Sequence, residues 1–242
     1  MQLIKLGAID STNDFLKNLA QEKDTLNFTV VTAESQTKGK GQMGSVWNSE
    51  TGKNLIMSVL IKDSLSEINE IFNLNIVVAL SVISVLKQRH IPNLSIKWPN
   101  DILSANKKIG GILIENSIKS DGSIYSIAGL GLNINQTNFE NLPKASSLAN
   151  VMQQNFDKEE LLEDIVAKMK IYTENLKENV SMLWKEYEDL LFKKEIPTAF
   201  KDVYGRNFMG MIKGVDPLGR LKILLEDDTV ATFQIKEVEM LY

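Results

Sequence analysis

An ammonium, an indole, an amide and a carboxylate fall within five consecutive positions, Lys97-Trp98-Pro99-Asn100-Asp101, and Lys107 and Lys108 follow a turn later. This lysine pair runs into an apolar segment, residues 109–114, interrupted only by Gly110 and Gly111. Glycines in mid-strand forfeit side-chain packing and backbone entropy, so some other group is expected to approach the backbone closely there. These residue types describe a polar site laid on an apolar floor. Taken alone, the stretch also reads as a surface hairpin with solvated lysines.

Two other stretches carry chemistry. In residues 34–47, Gly39, Gly41 and Gly44 satisfy the G-x-G-x-x-G pattern, and Asp63 stands roughly where a dinucleotide fold keeps its ribose acid. That reading fails on spacing: residues 45–53 alone separate the loop from the next strand, whereas a parallel crossover needs about a dozen residues or more. What remains is a mobile glycine loop with Lys38 and Lys40, suited to folding over a phosphate or serving as a plain flexible connection. Upstream, Asp10-Ser11-Thr12-Asn13 begins a helix, with Ser11 and Asp14 spaced as a capping box. A helix start can also present N–H groups and hydroxyls to a polar ligand.

Composition removes several classes of function. A net charge of −4, from 27 basic and 31 acidic residues, leaves no overall basic footprint for nucleic acid. Arg89, Arg206 and Arg220 are the only arginines, so phosphate would fall mainly to lysine. The absence of cysteine excludes disulfides and thiolate chemistry. The single histidine, His90, ends a helical run, which suits a solvated or helix-dipole role and removes His-rich metal sites. The N-terminal segment carries no signal-peptide pattern, and the most apolar window, residues 76–86, is too short to span a bilayer. A cytoplasmic protein with no membrane attachment is expected.

The elements that must position these residues follow from periodicity. Residues 3–9, 28–33 and 54–62 read as strands and residues 10–22 as a helix; residues 65–89, with Ile68, Ile71, Leu74 and Leu86 among their apolar positions, form a core helix. Residues 94–98 make a strand feeding the polar pentapeptide, and residues 119–123 a hairpin turn. The strand 124–135 then carries Gly129 and Gly131 in its middle and Asn133 and Asn135 at its end. Two adjacent strands with paired glycines suggest a slot where a flat ligand lies against backbone. A long helix, 157–191, starts at Asp157 with Glu160 three residues on. After a linker near 193–198, strands at 207–215, 221–225 and 230–235 give the pattern of a small SH3-like barrel. The division is 1–192 and 193–242.

Taken together, these motifs resemble the biotin protein ligases. The resemblance runs nearly the whole chain and rests on Asp10-Ser11-Thr12-Asn13, on Gln36 with the glycine loop and Trp47, on residues 97–101, on Lys108 with Gly110-Gly111, and on residues 129–133. It implies an α+β fold, a mixed, largely antiparallel sheet flanked by helices as in class II synthetases and biotin–lipoate ligases, followed by the small SH3-like unit. It implies that biotin attacks the α-phosphate of ATP, with Mg²⁺, to give biotinyl-AMP, and that a lysine of a biotin carboxyl carrier protein then displaces AMP. Ser11, Thr12, Asn13 and Gln36 would hold biotin, together with Gly39, Lys40, Lys108 and the strand glycines Gly110, Gly111, Gly129 and Gly131. Lys40, Gln42, Met43, Gly44, Trp47, Asn100 and Asn133 would face the nucleotide. Lys108, Lys97 and Asp101 would be catalytic, with Asp101 and Asn133 toward the metal.

The loop departs from the arginine-rich version of the family: Lys40, Gln42, Met43 and Ser45 offer a point charge rather than a bidentate fork. The chain opens directly on the first strand, so no operator binding is expected; a homodimer is compatible with the sequence. Two rivals stand beside this reading. A lipoate- or octanoate-transferring enzyme on the same fold would also use a strand lysine but lack residues 97–101 as they stand here. A non-catalytic module would capture peptides with the SH3-like tail and consume no nucleotide.

Overall fold

The computed structural model describes residues 2–21, 25–65, 67, 70–118, 122–140 and 142–242. Strands Gln2–Ile9 (β1) and Thr29–Gln36 (β2) run parallel, joined by helix Thr12–Ala20 (α1). Leu55–Lys62 (β3) pairs antiparallel with β2, so the crossover that a dinucleotide fold would need is absent, as the spacing required. Leu94–Lys97 (β4), Asp101–Ser104 (β5), Lys107–Ile118 (β6) and Ile124–Leu132 (β7) form an antiparallel meander whose last strand pairs with β3. The mixed sheet therefore has seven strands in the order β1-β2-β3-β7-β6-β5-β4.

Its two faces are covered unequally. One face packs on helix Ile71–Gln88 (α2), which lies against Lys158–Glu174 (α4) and Leu176–Asp189 (α5); the short helix Leu148–Met152 (α3) precedes them. Alternate residues of the strands, such as Met57, Val59, Ile112 and Leu130, point into this main core. On the other face, among the described helices, α1 packs, its Leu16 and Ala20 covering Val31, Leu60 and Ile127 in a small separate cluster. A helix of nine residues is about 13 Å long, and strands of this length run about 25–30 Å. Half of that face is thus left open at the end where the glycines of β6 and β7 lie.

A second sheet of five antiparallel strands, Pro197–Asp202 (β8), Asn207–Val215 (β9), Leu221–Leu225 (β10), Val230–Phe233 (β11) and Val238–Leu241 (β12), has the order β11-β10-β9-β8-β12. Phe200, Ile212 and Leu221 of this sheet belong to the same continuous core as α2.

Several expected boundaries shift. Helix α2 begins at Ile71 and not near 65, and Ile68 lies outside the described residues, as do residue 22 and positions 119–121 of the expected turn. By length and mean hydropathy (1.7 over 18 residues) α2 could cross a membrane, so the apolar run is longer than residues 76–86 suggested; it is instead the buried core helix. The long helix breaks at Asn175, whose φ of −101° and ψ of 10° end α4. Thr198 already belongs to β8 and Lys194 bridges to Ile212, so the expected linker is part of the second sheet. Strands β5, β8 and β12 and helix α3 were not read from the sequence.

Candidate active site

One transverse row of the large sheet forms the floor of a cavity of about 280 Å³ on its open face. Lys97 of β4 stands opposite Asp101 of β5, Asp101 opposite Gly111 of β6, Gly111 opposite Gly131 of β7, and Gly131 opposite Ile56 of β3. All five line the cavity. The two glycine-bearing strands are neighbours, as expected, and the row presents bare backbone at its centre and charge at one end.

Lys108 reaches this row only through a β-bulge. In a regular ladder residues 108 and 111 face opposite ways. The register shifts where Ile102 pairs with Gly110 and the next residue, Leu103, pairs with Lys108, leaving the buried Ile109 as the extra residue. A bulge re-aims the side chain beside it, and Lys108 Nζ ends 3.4 Å from where a Cβ on Gly111 would lie. It then sits 2.6 Å from Asp101 Oδ1, while Lys97 Nζ stays 3.8 Å from Asp101 Oδ2. Burial holds the Lys97 ammonium below the usual lysine range, an effect that Asp101 opposes and Lys108 and Lys144 reinforce.

The wall beside α1 is a buried polar network. Ser11 caps the helix by accepting from Asp14 N (3.3 Å), but the reciprocal half of the capping box is absent because the Asp14 carboxylate pairs with Lys40 at 2.6 Å. Gln36 Oε1 accepts from Thr12 N at 2.8 Å and from Thr12 Oγ1 at 3.0 Å. The Ser58 hydroxyl lies 2.8 Å from Thr12 Oγ1 and 2.6 Å from Asn13 Oδ1, and Asn13 Nδ2 donates to Glu115 at 2.9 Å. Ser11, Thr12 and Asn13 are nearly inaccessible. Unpaired buried polar groups are costly, so these residues are fixed in place before any ligand arrives.

The glycine loop, expected to be mobile and suited to folding over a phosphate, roofs the cavity as a hairpin. Trp47 N donates to Gly39 O at 3.0 Å, and Gly41 N to Ser45 O at 2.7 Å. Gly39 is required by close approach, since a Cβ there would lie 2.3 Å from Trp47 O. The Trp47 indole rests on the glycine row: a Cβ on Gly131 would meet its Cε2 at 2.4 Å. Its buried Nε1 has no hydrogen-bond partner among the described residues, which leaves a donor to spare. Lys40 is raised above its usual range by the hydrogen bond to Asp14.

Most residues expected at the site line this cavity. Gly39, Gly44, Gly110 and Asn133 do not. Asn133 is buried and donates from Nδ2 to Ser146 O at 2.9 Å, holding the following segment. Asn100 lines the cavity, and its Nδ2 donates to Ile112 O at 2.6 Å. Trp98 turns away into the core and donates to Gly219 O at 2.9 Å, tying the second sheet to β4. Lys107 bonds to Pro143 O outside the cavity. Four participants went unread: Ser58, the cavity-lining Ile235 and Lys236, whose ammonium donates to Met43 O at 2.7 Å, and Lys144. Only pairing across the chain reveals them. Among the described residues no group of three or more His, Asp or Glu side chains could hold a metal ion, and Asp101 is the one carboxylate lining the cavity.

A row of ammonium groups and a carboxylate beside bare backbone, roofed by a lysine-bearing hairpin, gives a flat bed whose charge suits anionic groups. The chain belongs to the biotin/lipoate A/B protein ligase family, whose sequence model matches residues 6–133. It is 28% identical over 194 residues to the bifunctional ligase/repressor BirA of Bacillus spizizenii, spanning 76% of this chain and 59% of that protein. The biotin--[acetyl-CoA-carboxylase] ligase of Mycobacterium tuberculosis is 32% identical over 151 residues, 61% of this chain and 54% of that one. The chain thus matches less than two thirds of the length of these relatives. The structure of the Aquifex aeolicus biotin protein ligase in complex with biotin and ATP superposes with a TM-score of 0.81 at 25% identity, over 99% of this chain and 98% of that one.

Proposed function

We propose that this protein is a biotin–protein ligase that joins biotin to the α-phosphate of ATP, releasing pyrophosphate, and passes the biotinyl group of the resulting biotinyl-AMP to a lysine of a biotin carboxyl carrier protein in the cytoplasm, releasing AMP. The observation that carries the reading is Lys108, turned by a bulge onto the Asp101–Gly111–Gly131 row under the glycine hairpin. Membership in the family and the match to a ligase that holds biotin and ATP support it. Residues 1–192 are read as the ligand-binding unit and 193–242 as a second unit that adds Ile235 and Lys236 to its wall.

A carboxylate attacking a phosphate must first approach a like charge. Lys108 and Lys97 supply fixed positive charge at that junction, and Asp101 holds Lys108 in place. One preorganised donor at a developing charge is worth about 3–4 kcal/mol in mutational series. The Thr12–Gln36–Asn13–Ser58 network offers oriented polar groups to the ring system of biotin. The Lys40 hairpin covers the acyl-phosphate. Asp101 fits a magnesium ion carried in on the nucleotide, since Mg²⁺ needs only one or two carboxylates beside phosphate oxygens, and there it would neutralise phosphate charge. Asn133 serves as a positioning residue for the segment that follows it.

The test is biotin-dependent exchange of pyrophosphate into ATP, followed by mass spectrometry of a carboxyl carrier fragment incubated with enzyme, biotin and MgATP. Exchange with biotin and a mass gain of one biotinyl group are expected. Exchange that requires lipoate in place of biotin would overturn the substrate assignment, and no nucleotide consumption would overturn the activity.

A further inference from the structure

We propose that Tyr242 is a positioning residue of this site: its ring holds the ammonium groups of Lys97 and Lys144 and, through Lys97, sets the grip on the nucleotide's phosphates. The second clause rests on the ligase reading; the contact itself does not. The ring centroid lies 5.3 Å from Lys97 Nζ and 4.3 Å from Lys144 Nζ. Phe192 packs against it in a T-shaped arrangement at 5.2 Å, so the ring is braced from another side.

Two separate parts of the chain converge here. Tyr242 directly follows β12, whose Leu241 pairs with Ala199 of β8. Lys144 arrives on a segment bonded to both sides of the Lys108 peptide: Lys108 N donates to Lys144 O at 2.7 Å, and Ser146 N donates to Lys108 O at 2.9 Å. The same segment that flanks Lys108 therefore carries a third ammonium to the cluster.

Charge explains why an aromatic face is needed. Lys97 and Lys108 share Asp101, and the short contact goes to Lys108; Lys144 adds a further like charge near Lys97, and Glu239 an opposite one. Lys97 is left at 3.8 Å from the carboxylate, half-buried and repelled by two like charges. A ring face attracts a desolvated cation without adding an anion that would compete for it or repel the phosphates. The hydroxyl has no part in this, so phenylalanine should serve and leucine should not.

Three measurements on the full chain test the proposal. In biotin-dependent pyrophosphate exchange, Tyr242→Leu should raise the KM for ATP about tenfold with the KM for biotin unchanged, and Tyr242→Phe should behave as the wild type. In a Lys97→Met background Tyr242→Leu should add little, because the ring acts through that lysine. Independently of activity, the Lys97 signal in the NMR spectrum of ¹³C-methylated protein should show an upfield ring-current shift that Tyr242→Leu abolishes and Tyr242→Phe keeps. Equal damage from Leu and Phe, an undiminished Tyr242→Leu effect without Lys97, or a Lys97 signal with no ring shift would each overturn the proposal. If the wild type lacks exchange while the ring shift is present, the ligase reading falls and the Tyr242–Lys97 contact stands.

Discussion

The cleft holds its cations in two different ways. Lys108 and Lys97 rise from strands, their side chains 34% and 21% exposed, and both answer to an Asp101 side chain that is 16% exposed on the strand between them. Lys40 sits on the roof hairpin at 46% exposure and pairs with Asp14 on α1, itself 41% exposed. An exposed pair of this kind is worth about 0–1 kcal/mol and is easily exchanged for another anion. The sheet cluster is built in advance by register and a bulge, whereas the roof cation is held by an exposed pair to a helix. On the proposed function, preorganised charge would serve the chemical step and exchangeable charge containment.

The strongest way to break this division is Lys108→Ala. Removing one preorganised donor should lower the rate of adenylate formation by about 10²–10³-fold, with an unchanged circular dichroism spectrum, since a partly exposed ammonium contributes little to the fold. Single-turnover formation of biotinyl-AMP is the measurement; a folded variant forming adenylate at the wild-type rate would remove Lys108 from the chemistry.

Gly131→Ala acts where floor and roof meet. The added Cβ would fall 2.4 Å from Trp47 Cε2, and forcing extra volume into such a contact costs about 1–3 kcal/mol. The indole must lift and take the hairpin with it. Biotin affinity and adenylate retention should both fall by tenfold or so, accompanied by a change in tryptophan fluorescence. Unchanged fluorescence with unchanged affinity would show that the roof does not bear on the row.

What the sequence revealed here was residue type, and what it hid was register. Lys97, Asp101 and the two glycine pairs are recognisable because glycines inside strands and charges beside them are costly without a purpose. Their alignment in a single row depends on strand pairing that no local pattern carries. The bulge has no signature: Ile109 reads as one more apolar residue, and simple alternation would have sent Lys108 to the wrong face. Trp98 was grouped with the site by its neighbours, although it anchors the second sheet. Strand β12 is only four residues long and β8 starts at a proline, so both fell below what alternation can detect. The contributions of Lys236 and Lys144 follow from those missed contacts.

A smaller effect is expected from Lys40→Gly. Chemistry on the strands should persist, because Lys108 is held by β6 and Asp101 and meets the hairpin at the Trp47 ring, 5.5 Å from its Nζ, which the substitution leaves in place. The closed roof should lose its main charged contact, and glycine adds conformational freedom that closure must remove, at about 1 kcal/mol. Biotinyl-AMP should leave about fivefold faster, and labelling of a bystander such as serum albumin should rise in step. Loss of all activity without faster release would place Lys40 in the chemical step and erase the distinction between the two kinds of cation.

The smallest effect concerns stability, and it separates the preorganised cluster into its parts. Lys97 is a lysine whose folded-state pKa lies below its ordinary 10.5, with burial the leading cause. Between that lowered value and 10.5 the unfolded chain binds more protons than the folded one, so stability contributed by this group rises with pH through that window. Below the window both states are protonated and the cost of the buried charge is fully present. Lys97→Met keeps the aliphatic stem against Tyr242 and removes that charge, while Asp101 retains Lys108 as its partner. At pH 7 the variant should therefore melt no lower than the wild type and on the order of 2 °C higher, although its adenylate formation is impaired. The gap between the two proteins should narrow as the pH approaches 10, because the wild-type lysine sheds its charge there. Scanning calorimetry across this range decides the matter: a variant several degrees less stable at pH 7 would mean that the 3.8 Å contact with Asp101 outweighs desolvation, and that Lys97 is held as firmly as Lys108.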